Sequence, residues 1–245
     1  PIPSRGLGDV YKRQILPLDS IEILEKQRGK DYIEVDKTTR LDWDALREKV
    51  KTQGMRNSNT MAIAPTATIA NITGLTQSIE PTYSNLFVKS NLSGEFTVIN
   101  MHLVAALKEI DMWDEVMVYD LKNLNGSLES IARVPEDIKK LFATSFEVEP
   151  KWLIEAASRR QKWIDQSQSL NLYVSEPNGK KLDVMYRMAW LRGLKTTYYL
   201  RSRSATTTEK STITNMELNA VKTEPKTYDQ PEACSIDDPD CEACQ

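Results

Sequence analysis

Cysteine is missing from this 245-residue chain until position 234, and the three it has, Cys234, Cys241 and Cys244, fall within the last twelve residues. A disulfide-stapled secreted domain spreads its cysteines through the fold, so that class is excluded, and no thiol can act from within the body of the chain. Histidine is scarcer still. His102 stands alone without a second ligand candidate nearby, so it reads as a surface or hydrogen-bonded residue, and no metal site is expected. No run approaches the ~20 apolar residues of a membrane helix, and no signal-peptide pattern is visible. Charge of one sign is lacking too: a net charge of -3 and a pI near 5.5 leave no basic footprint for nucleic acid or an anionic membrane. These absences point to a cytoplasmic protein with neither of those partners. Its 40% hydrophobic content is enough to bury one large core or two small ones.

Residues 1–14 carry neither helical nor strand periodicity and resemble translated adapter sequence; the other reading is a natural Pro/Gly-rich leader. Ile21–Gln27 suits a short helix ending at Gly29. Leu41–Val50 places Leu41, Ala45, Leu46 and Val50 near one helical face, with acidic residues early, Lys49 late and Gly54 as a stop. Thr60–Ala64 is an apolar run of strand length closed by Pro65. After it, Pro65, Thr66, Ala67, Thr68 and Ile69 open a loop of small and hydroxyl-bearing residues leading into a helix start. Backbone N–H groups and Thr hydroxyls in such a place can hydrogen-bond a phosphate, although the spacing and the Lys of a Walker A loop are absent; taken alone, the threonines read as helix caps.

Val98–Ile110 and Trp113–Leu121 have helical spacing, Asn123–Ser127 is a turn, and Pro135 opens another helix. Pro150–Ser167 predicts a long amphipathic helix with Trp152, Leu153, Ala156, Ala157, Trp163 and Ile164 toward a core and Arg159, Arg160 and Lys162 toward solvent. Ser169–Val174 alternates like a strand, Lys181–Arg192 is helical with Gly193 as its stop, and Lys195–Arg201 follows as a buried strand. Strand, helix, strand in that order implies parallel pairing, as in part of an α/β barrel or a parallel sheet. On a regular strand Tyr198 and Tyr199 point to opposite faces, one to the core and one to solvent.

Beyond Arg203 the composition turns to Thr, Glu, Pro and Asp with Tyr228 as the only aromatic, which predicts a disordered tail over 204–245. Cys241-Glu242-Ala243-Cys244 at its end allows three readings: a zinc site short of ligands, inert thiols, or a pair for dithiol–disulfide exchange.

The ordered set Met55-Arg56-Asn57-Ser58-Asn59-Thr60, Pro65-Thr66-Ala67-Thr68, Gln77-Ser78-Ile79-Glu80-Pro81, Leu92-Ser93-Gly94-Glu95-Phe96, Ile164-Asp165-Gln166-Ser167 and Tyr198-Tyr199-Leu200-Arg201 resembles the large, catalytic subunit of class I ribonucleotide reductase. The resemblance runs from about residue 15 to the C-terminus. It implies that residues 15–203 are the C-terminal part of a ten-stranded α/β barrel and that the chain is a fragment of a thioredoxin-dependent ribonucleoside-diphosphate reductase. It also implies a role for each site. Tyr198 and Tyr199 would carry radical transfer, residues 65–69 would hold the substrate diphosphate, and Cys241 and Cys244 would shuttle reducing equivalents. The implied partners are a ribonucleoside diphosphate, a small radical-generating subunit, thioredoxin or glutaredoxin, and a second large subunit. No cofactor is implied for this segment; the whole enzyme implies ATP and dNTP effectors and a metal-radical cofactor in the small subunit. The family's hydrogen-abstracting cysteine, redox pair, ATP-cone and specificity loops match nothing after residue 15, so the segment alone is expected to be inactive. The competing reading is a non-catalytic module that binds nucleotide diphosphate or the small subunit.

Overall fold

The computed structural model describes residues 15–56, 59–91 and 94–203. The leader 1–14 and the segment 204–245, with all three cysteines and the expected tail, lie outside the described residues.

The first helix, α1 (Asp19–Arg28), has Asp19 and Glu22 in its first turn and Lys26 and Arg28 in its last, as the helix dipole favours, and stops at Gly29. In α2 (Trp43–Gln53) the Asp42 carboxylate caps the N-terminus by accepting from Ala45 N–H at 3.0 Å. The apolar face expected for this helix is mostly not used: Val50 is buried, but Leu41 lies ahead of the helix and is exposed, as is Leu46. A third helix, α3 (Ala67–Thr73), follows the 60–66 segment.

Next comes a hairpin that periodicity did not reveal. β1 (Leu86–Asn91) and β2 (Gly94–Ile99) pair antiparallel, with Leu86 opposite Ile99 and Asn91 opposite Gly94. Val98 and Ile99 therefore belong to a strand, and α4 (Met101–Glu109) starts later than its apolar pattern implied, because Asn100 Oδ1 accepts from His102 and Leu103 N–H and fixes the start there. Helix α5 (Glu115–Asn123) packs beside it, and Leu86, Leu103, Leu107, Met117, Leu121, Leu128, Ile131 and Val134 close one core cluster. The turn after α5 requires Gly126. Its φ is 75°, and a Cβ there would sit 2.6 Å from the Asn85 nitrogen.

A short helix, α6 (Glu136–Leu141), begins just after Pro135, and α7 (Pro150–Gln161) carries its proline in the first turn. Helix α7 ends at Gln161, not at Ser167. Trp152 and Trp163 are exposed instead of lying in the core, where Leu153, Ile154, Ala157 and Ile164 suffice. Lys162, expected in solvent, is the reverse: its side chain is 4% exposed. Its ammonium donates to Asp36 Oδ2 at 2.9 Å, Asp36 O at 3.1 Å and Thr38 O at 2.8 Å, a full acceptor set that offsets the loss of water.

The last unit is strand β3 (Leu172–Val174), helix α8 (Gly179–Leu191) and strand β4 (Leu200–Ser202), and the strands pair parallel with Leu172 opposite Leu200. The run 60–64 is not a full strand; it contributes one parallel bridge, Ile63 to Gln168. Its ladder uses Ser167 O and Ser169 N–H, whereas the β4 side uses Leu170 O and Leu172 N–H. Successive peptide groups of a strand point to opposite edges, so 61–63 and 196–202 flank the 167–174 segment on its two edges. Helices α7 and α8 cover one surface of it, burying Leu170, Leu172, Val174, Met185, Ala189 and Leu194 together.

Candidate functional site

Pleating places Leu170, Leu172 and Val174 against the helices and sends Asn171 and Tyr173 to the opposite surface. By register Tyr199 and Arg201 stand beside Asn171 and Tyr173 on that same surface. The face is thus built from two strands whose other side is sealed.

Tyr198 and Tyr199 meet on it. Tyr198 Oη donates to Tyr199 Oη at 3.1 Å, and the ring centroids are 4.0 Å apart at 52°. The expectation of one buried and one exposed tyrosine on a buried strand is corrected, since both residues are exposed, at 45% and 51%. Strict alternation needs a regular ladder, and β4 becomes regular only at Leu200; ahead of it Tyr198 N–H reaches Leu170 O and Tyr199 O accepts from Leu172 N–H. The hydrogen bond to Tyr199 is the main reason that the Tyr198 hydroxyl is held above its ordinary pKa. Arg201 lies over the Tyr199 ring at 5.2 Å, and Arg203 lies over Phe146 at 4.8 Å. Phe146 packs edge-on against Tyr173, and Tyr83 packs against Phe87 at 4.7 Å. Burial pushes the Tyr83 and Tyr173 hydroxyls up, and the positive charge of Arg201 works against that in both.

Behind these rings two acceptors are left over. Glu80 is 7% exposed; its Oε2 accepts from Asn171 Nδ2 at 3.2 Å, while Glu80 Oε1 and Asn171 Oδ1 are buried without a partner among the described residues.

The loop at 65–69 leads into α3. Ala67 is the first helical residue, so the N–H groups of its first turn lack helical acceptors. Threonine capping is not what Thr66 does: it makes no side-chain cap bond, and its hydroxyl donates instead to Gln77 O at 3.1 Å, closing the loop 66–77 on itself. Pro65 and Ile69 are exposed beside it. The loop follows one of the two edge segments flanking 167–174, and the tyrosines lie in the other. Cys241 and Cys244 lie outside the described residues.

What joins those segments went unread in sequence. The Asp165 carboxylate accepts from Thr60 N–H at 2.7 Å, Thr60 hydroxyl at 3.1 Å and Met61 N–H at 2.9 Å, holding the extended run that delivers Pro65. Lys195 Nζ donates to Asp165 O at 2.7 Å and Gln166 O at 3.2 Å, and burial, partly countered by Asp165, depresses its pKa. Asp165 therefore links the residue run before the loop to the run before the tyrosines. The Ile164–Ser167 motif marked the place but not the role. Lys195 carried no signal, because its acceptors are carbonyls thirty residues away in sequence.

Comparison with known proteins fits this architecture. The ribonucleotide reductase barrel-domain model matches residues 8–200, and the chain belongs to that family. The ribonucleoside-diphosphate reductase subunit alpha of Chlamydia muridarum is 58% identical over 206 residues, covering 84% of this chain and 20% of that protein. The Chlamydia trachomatis subunit alpha is 51% identical over 252 residues, covering 97% of the chain and 24% of that protein. Among solved structures, the Actinobacillus ureae class Id ribonucleotide reductase alpha subunit superposes with a TM-score of 0.56 at 29% identity, over 75% of this chain and 31% of that one. The chain spans about a fifth to a quarter of the length of these curated relatives. No helix among the described residues is long and apolar enough to cross a membrane.

Proposed function

We propose that this chain serves as the barrel segment of a ribonucleoside-diphosphate reductase large subunit that passes a radical toward the substrate and holds the substrate's diphosphate. The observation that carries this reading is the tyrosine pair: two phenols hydrogen-bonded oxygen to oxygen at 3.1 Å with their rings in contact. When one member is a phenoxyl radical, the electron and the phenolic proton of the other move to it together, leaving a phenol behind and a new phenoxyl ahead. The direct hydrogen bond lets the proton travel with the electron, so no charged tyrosine is formed. The first-turn N–H groups of α3 and the residues Pro65, Thr66, Ala67, Thr68 and Ile69 supply the diphosphate cradle, with Asp165 fixing the extended run that leads into it. Cys241 and Cys244 return the reducing equivalents after each turnover, drawing on thioredoxin or glutaredoxin. The small subunit supplies the metal-derived radical, and ATP and dNTP effectors act on parts of the subunit outside this segment. The working form is a dimer of large subunits in the cytoplasm, with 204–245 acting as a tail apart from the barrel.

Residues 15–245 grafted into a relative's large subunit, with the small subunit and a dithiol reductant, test this. Tyr198→Phe or Tyr199→Phe is expected to reduce turnover to background while leaving nucleoside diphosphate binding unchanged. Full turnover by either variant would overturn the radical-path assignment.

A further inference from the structure

Carried backward, the parallel pairing of Leu172 with Leu200 sets Leu170 opposite Tyr198. In a regular parallel ladder the carbonyl of Leu170 would then accept from the residue after its partner, Tyr199. The bond that forms comes instead from Tyr198 N–H, at 2.8 Å, and Tyr199 N–H has no backbone acceptor among the described residues. Leu170 is therefore opposite Thr197, while Leu172 N–H donates to Tyr199 O at 2.8 Å and keeps Leu172 opposite Leu200. Between these two points Asn171 alone faces both Tyr198 and Tyr199, so the tyrosine run carries one residue more than its neighbour, a β-bulge. The surplus residue is what lets two successive side chains share one surface. With the register unbroken, Tyr198 would lie on the same surface as Leu170, against the helices, and only Tyr199 would face front.

Two side chains hold the shifted register ahead of the bulge. With Leu170 opposite Thr197, Gln168 falls opposite Lys195, and the residue due to meet Gln168 O is Thr196. Thr196 meets it with its hydroxyl, at 2.8 Å. Half-buried Lys195 reaches further back along the same segment, its ammonium donating to Asp165 O at 2.7 Å and Gln166 O at 3.2 Å. Restoring the unbroken register would move both residues by ~3.3 Å and turn their side chains to the opposite surface. All three bonds would break, leaving a half-buried ammonium without its acceptors.

We propose that Lys195 and Thr196 are positioning residues for the tyrosine pair: their bonds to the carbonyls of Asp165, Gln166 and Gln168 fix a one-residue register shift, and the bulge it creates sets both phenols on one surface. The consequence for turnover rests on the reductase reading, whereas the register does not and is tested without redox chemistry.

Amide hydrogen exchange on the full chain reads the register. In the parent, Tyr198 N–H is expected to exchange at least about tenfold more slowly than Tyr199 N–H. Lys195→Met/Thr196→Val should reverse that order, because the unbroken register gives Leu170 O to Tyr199. Lys195→Arg/Thr196→Ser keeps the donors and should keep the parent order. Equal protection of the two amides in the parent, or the parent order surviving in Lys195→Met/Thr196→Val, overturns the inference, and so does an equal rise in both rates. Thr196 is exposed, so Thr196→Val alone covers the case in which the double variant folds poorly. It should narrow the gap about threefold where Thr196→Ser does not, and no narrowing overturns the role of the hydroxyl. In a relative's large subunit carrying residues 15–245, Lys195→Met/Thr196→Val should lower kcat about tenfold or more with KM for the nucleoside diphosphate unchanged. Lys195→Arg/Thr196→Ser should restore it. An unchanged kcat, or a rise in KM alone, overturns the positioning role. Full turnover by Tyr198→Phe would remove the reductase reading and leave the exchange result standing.

Discussion

The two surfaces of the β3–β4 pair treat buried atoms differently. Behind the strands, Leu170, Leu172 and Val174 are sealed by α7 and α8, and the buried polar groups of that side are satisfied: Gln168 Nε2 donates to Ala157 O at 2.7 Å, and Ser158 donates to Arg192 O at 2.7 Å. In front, the strands present tyrosines and a cation, and Glu80 and Asn171 each keep one buried oxygen unpaired among the described residues. Full satisfaction is what a surface selected for stability shows, because an orphan buried acceptor costs roughly 1–3 kcal/mol. Its absence in front marks the side on which stability has yielded to something else.

Truncation at the rear should be the most damaging change. Leu172 has no exposed surface and is a member of the rear cluster. Leu172→Ala is expected to lower the unfolding free energy by about 3 kcal/mol, read from denaturant midpoints, through lost burial and the cavity left behind. A loss under about 1 kcal/mol would mean that the helices collapse onto the gap, and the contrast between faces would weaken. Lys162→Met comes next, at about 2 kcal/mol, because three hydrogen bonds to a charged donor disappear while Asp36 stays half in water.

Glu80→Met probes the front and should behave oppositely, landing within about 1 kcal/mol of the parent or above it. An apolar side chain of similar size removes a buried carboxylate with an unpaired oxygen. A loss of about 3 kcal/mol would show that Glu80 is fully partnered, and the distinction between the faces would fall.

The rear of the molecule was the readable part. Periodicity located the α8 helix, its stop at Gly193 and the parallel pairing of the flanking strands, because burial on a helical stripe or a pleat leaves a repeating mark. It failed where tertiary contacts override pattern. Lys162 looks like a solvent residue until Asp36 and Thr38 supply acceptors from more than a hundred residues away. The hairpin's Val98 reads equally well as the start of the next helix, and only the Asn100 cap decides. At the front, the order of short motifs pointed to the tyrosines, yet their contact depends on the irregular backbone ahead of Leu200, which no alternation rule describes.

The smallest effect expected is also the most specific. Asp36 is held at a pKa of about 2, chiefly by the Thr38 backbone N–H, then by Lys162 and the Thr38 hydroxyl. An unfolded aspartate titrates near 3.9, so the folded value is the lower one and the unfolded chain takes up its proton first. The stabilisation from this carboxylate is therefore complete above about pH 4 and drains away as the pH falls toward 2. Asp36→Asn should be less stable than the parent at pH 6, and the gap in urea midpoints should close between pH 4 and pH 2. Because Asp36 is exposed, the gap itself is small. A gap that stays constant down to pH 2 would mean that shape, not charge, holds the Lys162 clasp.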